Sequence, residues 1–544
     1  MKKQLTVSVL ALCLTWAGVS TVVGQSAAPA QRQVAPLADY SENQIPEAAL
    51  RQANTPVLQQ VQQQTGFLLP TAGKLTAARQ KLDEQPTQRM ALEAFAAQLD
   101  LEYRGQQALL KQRPELPLVG RTENIHGTAE FKRLVPGRAP EYYRTHNAQG
   151  AATISTDKVW PNGILGFNLA GQQMIVGEWD GGAVRTTHEA FGGRATVMDG
   201  STTISDHATH VGATMVGGTT NAQAKGMAYM ANLNSYDWNN DDAEMALAAA
   251  NGLLVSNHSY GMITGWAFGD FGGFGTNEWY WFGEQVDTKD RSFGRYALQS
   301  SRWDSIARLA PNYLIVKSAG NDRGNGPAAG TSHRVWNGSA WIISTTTREV
   351  AGGTTGYDCI SHGGVAKNVL TVGAVDGITG GYLQPSQVVA SSFHGWGPTD
   401  DGRIKPDIVA KGVAVFSATS AGNNTYGNKN GTSMASPMVA GSLTLLQQLY
   451  RQQNGGTPLK AATLKALVIH TADEAGPQPG PDYTFGWGLM NTGKAAEVIA
   501  NAGNSHQLVE ASLNQGATYT LQVNSNGSQP LRVTIAWTDR AAPE

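Results

Sequence analysis

Four segments carry residue types that could attack, orient, deprotonate and stabilise at one carbonyl. The first runs Asn430-Gly431-Thr432-Ser433-Met434-Ala435-Ser436-Pro437-Met438-Val439-Ala440-Gly441. It sets Ser433 between a glycine turn and a helix whose Ala435, Val439 and Leu443 recur at four-residue spacing. Gly431 can take backbone angles closed to other residues, and Pro437 is expected in about the first turn, where a missing N–H costs least. A hydroxyl at a helix N-terminus sits where developing negative charge is favoured. Upstream, 174–179 reads as a strand ending at Asp180-Gly181-Gly182, and Asp206-His207-Ala208-Thr209-His210 opens a small-residue helix. A further strand, 313–318, ends before Asn321. Functional groups in open α/β sheets gather beyond the carboxyl ends of strands.

The chemistry asks for these types together. A serine hydroxyl is a poor nucleophile until a neutral imidazole takes its proton. The imidazole needs a carboxylate to fix its tautomer, and a tetrahedral oxyanion needs aimed donors, which an Asn amide can supply. Each residue alone has a plainer reading. Gly-Thr-Ser can be a helix cap, Asp180 a turn aspartate, Asn321 a loop residue. His207 is one of 11 histidines, among them His188, His258, His362 and His394. Only His207 has a motif around it. Joint occurrence, in order and at element ends, favours catalysis.

The order Asp, His, Ser is one of three unrelated orders for this triad. On these residues the chain resembles the subtilisin-like serine peptidases over roughly residues 140–500. The resemblance implies Ser433 as nucleophile, His207 as base, Asp180 as orienting acid and His210 as a structural second histidine. It implies Asn321, in Ala319-Gly320-Asn321, as oxyanion donor beside the Ser433 N–H. It also implies Val255-Ser-Asn-His-Ser259-Tyr260-Gly261 as the strand that pairs with substrate and borders the P1 pocket. Ala319 and Gly320 join Ser259, Tyr260 and Gly261 as expected substrate-binding residues. Asp322, where the pocket wall falls, suggests a taste for basic P1 side chains. The chain departs from the family pattern at Ala208, at the inverted pair Gly212-Ala213 and at Met438. None of these removes a catalytic group. An α/β-hydrolase would need G-x-S-x-G with the serine first. A sedolisin-type peptidase would replace His207 with an acid. A non-catalytic relative serving as a scaffold is the alternative from another class.

Composition suits a large exported hydrolase. The chain has 544 residues, 41% hydrophobic and 15% charged, with 63 glycines. Two to four domains are expected from this length. A net charge of −2 gives no reason to expect nucleic acid or an anionic membrane as partner. Lys2-Lys3, an apolar run and Val22-Val23-Gly24 read as a bacterial export signal cut before Gln25, with an uncleaved anchor as the alternative. After that cut no membrane segment is expected, and the location is secreted or cell-surface. Cys359 is then the remaining cysteine, so no intramolecular disulfide forms, and it reads as a buried small hydrophobe.

The expected organisation is a signal peptide over 1–24, a propeptide or N-terminal accessory region over 25–140, a catalytic domain over 141–503 and the start of a cut-off C-terminal β-sandwich over 504–544. A propeptide would inhibit its own enzyme, and protein or peptide substrates are the other partners. Residues 45–113 look helical. Strand candidates 174–179, 232–236, 253–257, 313–318 and 369–374 alternate with helix candidates 242–251, 433–450 and 462–470. That alternation predicts an α/β fold with a doubly wound, mainly parallel sheet. Phe485-Gly-Trp-Gly-Leu489 resembles the segment closing the family's catalytic domain. Period-two patterns at Tyr519, Leu521, Val523 and at Leu531, Val533, Ile535, Trp537 predict a β-hairpin. Residues 262–310 look like an insertion, with room for another between Asn321 and Ser433. Trp279-Tyr280-Trp281-Phe282 is read as packing, with a cleft lining as the alternative. The chemistry needs no cofactor. Structural calcium is expected from the resemblance without assigned ligands. Asp237 to Glu244 is oxygen-rich, although Asp241 or Asp242 capping a helix is the simpler reading.

Overall fold

Seven short runs, most of them apolar, form one parallel sheet. They are β1 (Ile175–Asp180), β2 (Ala195–Val197), β3 (Asn232–Asp237), β4 (Val255–His258), β5 (Leu314–Ser318), β6 (Leu370–Val375) and β7 (Ile408–Lys411). Their order is β7-β6-β5-β4-β1-β3-β2, every neighbouring pair parallel. The computed structural model describes residues 86–112, 121–124, 127–133, 141–145, 151–523 and 530–542. The expected signal peptide lies outside the described residues. The five strands expected from sequence are present within one or two residues. The short edge strands β2 and β7 were not among them.

Helices cover both faces, as a buried parallel sheet requires. They are α1 (Pro86–Gln112), α2 (Asp206–Val216), α3 (Asp241–Ala250), α4 (Leu298–Leu309), α5 (Thr432–Gln453), α6 (Ala461–Thr471) and α7 (Thr492–Ala500). One core layer joins Val176, Val316 and Val372 to α2, α5, α6 and α7. The opposite layer joins Trp179, Ile315 and Tyr313 to α3, α4 and α1, which contributes Leu92 and Ala96. Alternation along β1 therefore puts Val176, Glu178 and Asp180 on the α2–α5 side.

Two expected insertions build one small sheet. Residues 266–269, 278–281, 333–336 and 341–344 pair in it. Tyr280 and Trp281 are buried there, with Trp281 against Trp266 at 5.1 Å. The aromatic cluster thus packs, as expected. The stretch 262–310 is not all insertion, because α4 belongs to a core layer.

The expected hairpin near the C-terminus is a correction. Residues 505–523 and 530–542 contain no strand longer than an isolated bridge, and Leu531, Ile535 and Trp537 are exposed. An isolated pair of strands is marginal without a packed face. Residues 534–542 instead run along the body that holds the seven-stranded sheet. Asp539 and Asn368 exchange hydrogen bonds at 2.7 and 2.9 Å, and Lys367 pairs with Asp539. Described residues between 509 and 533 form a separate unit.

His210 and His394 lie buried in this body. His210 donates from Nε2 to the Val415 and Gly427 carbonyls, and His394 Nδ1 accepts from the Ala374 N–H. Burial pushes each imidazole down to about 3. The unfolded chain protonates both below about pH 6.5, and the folded chain does not. Their contribution to stability is full above about pH 6.5 and is lost as pH falls from there toward about 3, by about 1.4 kcal/mol per pH unit for each. Chemical unfolding of a Ser433→Ala protein across that range should show the decline; a flat unfolding free energy would contradict it.

Candidate active site

Every expected catalytic residue stands at the carboxyl edge of the sheet. Asp180 ends β1, Asn321 follows β5, and His207 and Ser433 open α2 and α5. Ser205 starts α2 by accepting the Ala208 N–H at 3.1 Å in extended backbone geometry. This cap holds His207 in the first turn. Asp180 is fully buried and accepts the Gly181 N–H at 2.7 Å. His207 Nδ1 lies 2.7 and 2.8 Å from the two Asp180 carboxylate oxygens. Donation from Nδ1 leaves the lone pair on Nε2, the tautomer a general base needs.

Ser433 is held by a longer chain of contacts. Gly431 N-caps α5 at φ 148°, a conformation that glycine alone takes readily. Pro437 lies deeper than expected, at the sixth helical residue rather than in the first turn. There its missing N–H deprives the Ser433 carbonyl of a helical partner. The Ser259 hydroxyl fills the gap, donating to that carbonyl at 2.7 Å. In return the Ser433 hydroxyl donates to the Ser259 carbonyl at 2.7 Å. Asn257 and Ser436 extend the network, with Asn257 donating to Ser259 and Ser436 to Asn257.

Asn321 is oriented from one side. Its Oδ1 accepts the Thr432 N–H at 3.0 Å and the Thr432 hydroxyl at 2.9 Å. The amide nitrogen is left as a donor pointing elsewhere. Thr432 also accepts the Gly320 N–H at 3.2 Å. Ala319 is buried, its N–H bonded to the Val372 carbonyl. Thr432 was inside the quoted motif but received no role from it.

The expected substrate strand differs in one respect. Tyr260 is fully buried and its hydroxyl donates to Asp241 at 2.9 Å, so contact with a ligand could come only through its backbone. Tyr260–Met262 pairs antiparallel with Glu141–Thr145, Arg144 opposite Gly261 and Thr145 opposite Tyr260. Lys317 is a further residue absent from the sequence reading. It is buried on β5, donates to the Ser318 carbonyl and lies near where a Gly261 side chain would be. Burial lowers its ammonium to about 7, against the opposing charge of Asp322. A basic P1 preference had left this cation out.

The acidic run Asp237 to Glu244 reaches into α3, and its helical carboxylates accept from protein donors. Asp242 accepts from Arg302 and Trp303, Asp241 from Tyr260, and Glu244 from Trp179. Asn240, not an aspartate, is the N-cap, and the acids occupy the first turn, where the helix dipole favours them. Cys359 is buried, and burial pushes its thiol up to about 12.

The family model for the subtilase family matches residues 189–488, 300 of the 544 residues. The chain belongs to the subtilase family. His207, Asn321 and Ser433 lie inside the matched span, and Asp180 just before it. This subtilase is 51% identical over 86 residues to a C5a peptidase of Streptococcus pyogenes, which is 16% of the chain and 7% of that protein. It is 29% identical over 218 residues to tripeptidyl-peptidase 2 of Arabidopsis thaliana, 39% of the chain and 14% of that protein. The matches thus span a small part of these relatives' length. The CspB protease of Clostridium perfringens aligns with a TM-score of 0.46 at 17% identity, covering 64% of this chain and 98% of that one.

Proposed function

We propose that this subtilase is an exported serine endopeptidase acting through Asp180, His207 and Ser433. The observation that carries the reading is the buried Asp180–His207 pair at 2.7 Å, at the same sheet edge as a serine opening a helix. Substrate adds a strand along Tyr260–Met262. The Ser433 hydroxyl turns from the Ser259 carbonyl towards His207, which takes its proton as Oγ attacks the scissile carbonyl. The Asn321 amide and the Ser433 N–H receive the oxyanion, since N–H groups of a first helical turn lack helical partners. His207 then gives the proton to the leaving amine, and water releases the acyl-enzyme. No cofactor enters the reaction.

A serine-directed fluorophosphonate tests this reading. One adduct by intact mass on the wild type, and none on Ser433→Ala or His207→Ala, is the expected result. No adduct on folded, processed wild type would favour the scaffold alternative.

The N-terminal region acts as a propeptide in this reading, and the strand Glu141–Thr145 supports it. A segment of the chain itself lies antiparallel along the strand assigned to substrate. α1 packs on α3 and α4 through Leu92 and Ala96. Maturation is expected to cut between Thr145 and Ala151, beyond the paired strand and so beyond the boundary at 140 read from the sequence. N-terminal sequencing of secreted protein should begin there; a start near residue 25 would mean a retained accessory region. The export signal read in residues 1–24 supports a mature enzyme outside the cell or on its surface, with protein or peptide substrates.

A further inference from the structure

Glu178 lies two residues before Asp180 on β1, on the same face of the sheet. It is completely buried, and neither carboxyl oxygen has a hydrogen-bond partner. Helix α2, which carries His207, passes over it at Gly212. A Cβ at Gly212 would fall 2.6 Å from Glu178 Oε2 and 2.7 Å from Leu233. Gly212 thus opens the space that seats this carboxyl. The inverted Gly212-Ala213 pair, which the sequence left as an unexplained departure, has its counterpart in Glu178.

The surroundings supply no counter-charge. β3 brings Leu233 and, in register with Glu178, Ser235, whose hydroxyl accepts the Val184 N–H. β4 brings Asn257, in register and already bonded to Ser259 and Ser436 of α5. Val184 closes the side. The titratable groups facing it are Asp180 on its own strand and, through Asp180, His207 on α2. An ionised carboxylate there would be desolvated and beside a like charge, two reasons to hold its proton. Burial first, then the charge of Asp180, raises the Glu178 carboxyl well above the usual carboxylate range, with a smaller opposing pull from the Gly212 backbone.

We propose that Glu178 is a positioning residue for the Asp180–His207 pair, an un-ionised carboxylic acid that fills the space beneath α2 and leaves Asp180 as the sole negative charge under the base. The proposal rests on the peptidase reading above. A second negative charge would shift the pair toward the imidazolium and away from the free base that takes the Ser433 proton. A neutral acid supports the pair without that shift.

The test compares wild type, Glu178→Gln and Glu178→Ala, each as the full chain. Infrared spectra at neutral pH should show a protonated-carboxyl stretch in the wild type that Glu178→Gln lacks. The acid limb of kcat/KM, which reports free-enzyme ionisations, should stay in place in Glu178→Gln. Glu178→Ala opens a hole beneath the pair and should lower kcat by up to about 10²-fold with KM held; the glutamine variant should retain kcat. Absence of the infrared band, an acid limb displaced downward in Glu178→Gln, or unchanged kcat in Glu178→Ala would each overturn the proposal. The infrared measurement needs no turnover, so it judges the Glu178 proton even where the peptidase reading fails. Where Glu178→Ala does not fold, the band and the glutamine pH profile still decide.

Discussion

Ser433→Ala is expected to lower kcat on a peptide substrate on the order of 10⁶-fold, and His207→Ala by nearly as much, the losses measured in subtilisin for residues in these roles. The physical reason is joint action. A hydroxyl without its base is a poor nucleophile, and a base without the hydroxyl has no proton to take. The double variant should therefore be hardly worse than either single one. Pre-steady-state titration of active sites beside kcat measures this directly. Losses that multiply in the double variant would mean that the two side chains do not work as a unit. The Ser433→Ala chain should also keep its N-terminal region, because the proposed cut uses the same serine.

Asn321→Ala is expected to lower kcat by about 10²–10³ while leaving KM nearly unchanged, again the magnitude from subtilisin's oxyanion-hole amide. The geometry argues for that split. Two donors on Thr432 hold Oδ1, so the amide nitrogen is the group left to meet the developing charge. A ground-state carbonyl gains less from it than a full oxyanion does. Thr432→Val removes the hydroxyl hold and keeps the backbone one, so a smaller loss in kcat should follow. Steady-state kinetics of both variants provide the check. Unchanged kcat in Asn321→Ala would remove this residue from the oxyanion site.

Much of the fold was readable because its signals are local. The strands 175–180, 314–318 and 370–375 are continuous or nearly continuous buried runs, as a sheet covered on both faces produces. α5 announced itself through Gly431 and the four-residue spacing of Ala435, Val439 and Leu443, all three fully buried. The edge strands β2 and β7, of three and four residues, are too short to show a period. The expected C-terminal hairpin had the right alternation, yet alternation alone does not supply a face to bury.

The sequence by itself determined which residue types stand at which element ends: Asp180, His207, Asn321 and Ser433, each marked by its own short segment. Tertiary structure alone decided how they are held. Ser259 meets Ser433 across 174 residues of chain, and it does so because Pro437 leaves a carbonyl unpaired. Thr432 turns Asn321 across 111 residues. Tyr260 faces inward because Asp241 waits there for its hydroxyl. Glu178 looked like one more strand residue until α2 crossed it at a glycine. A motif is legible from sequence because its residues are neighbours along the chain. A hydrogen-bond partner or a missing Cβ acquires meaning only once packing brings distant segments within a few ångströms.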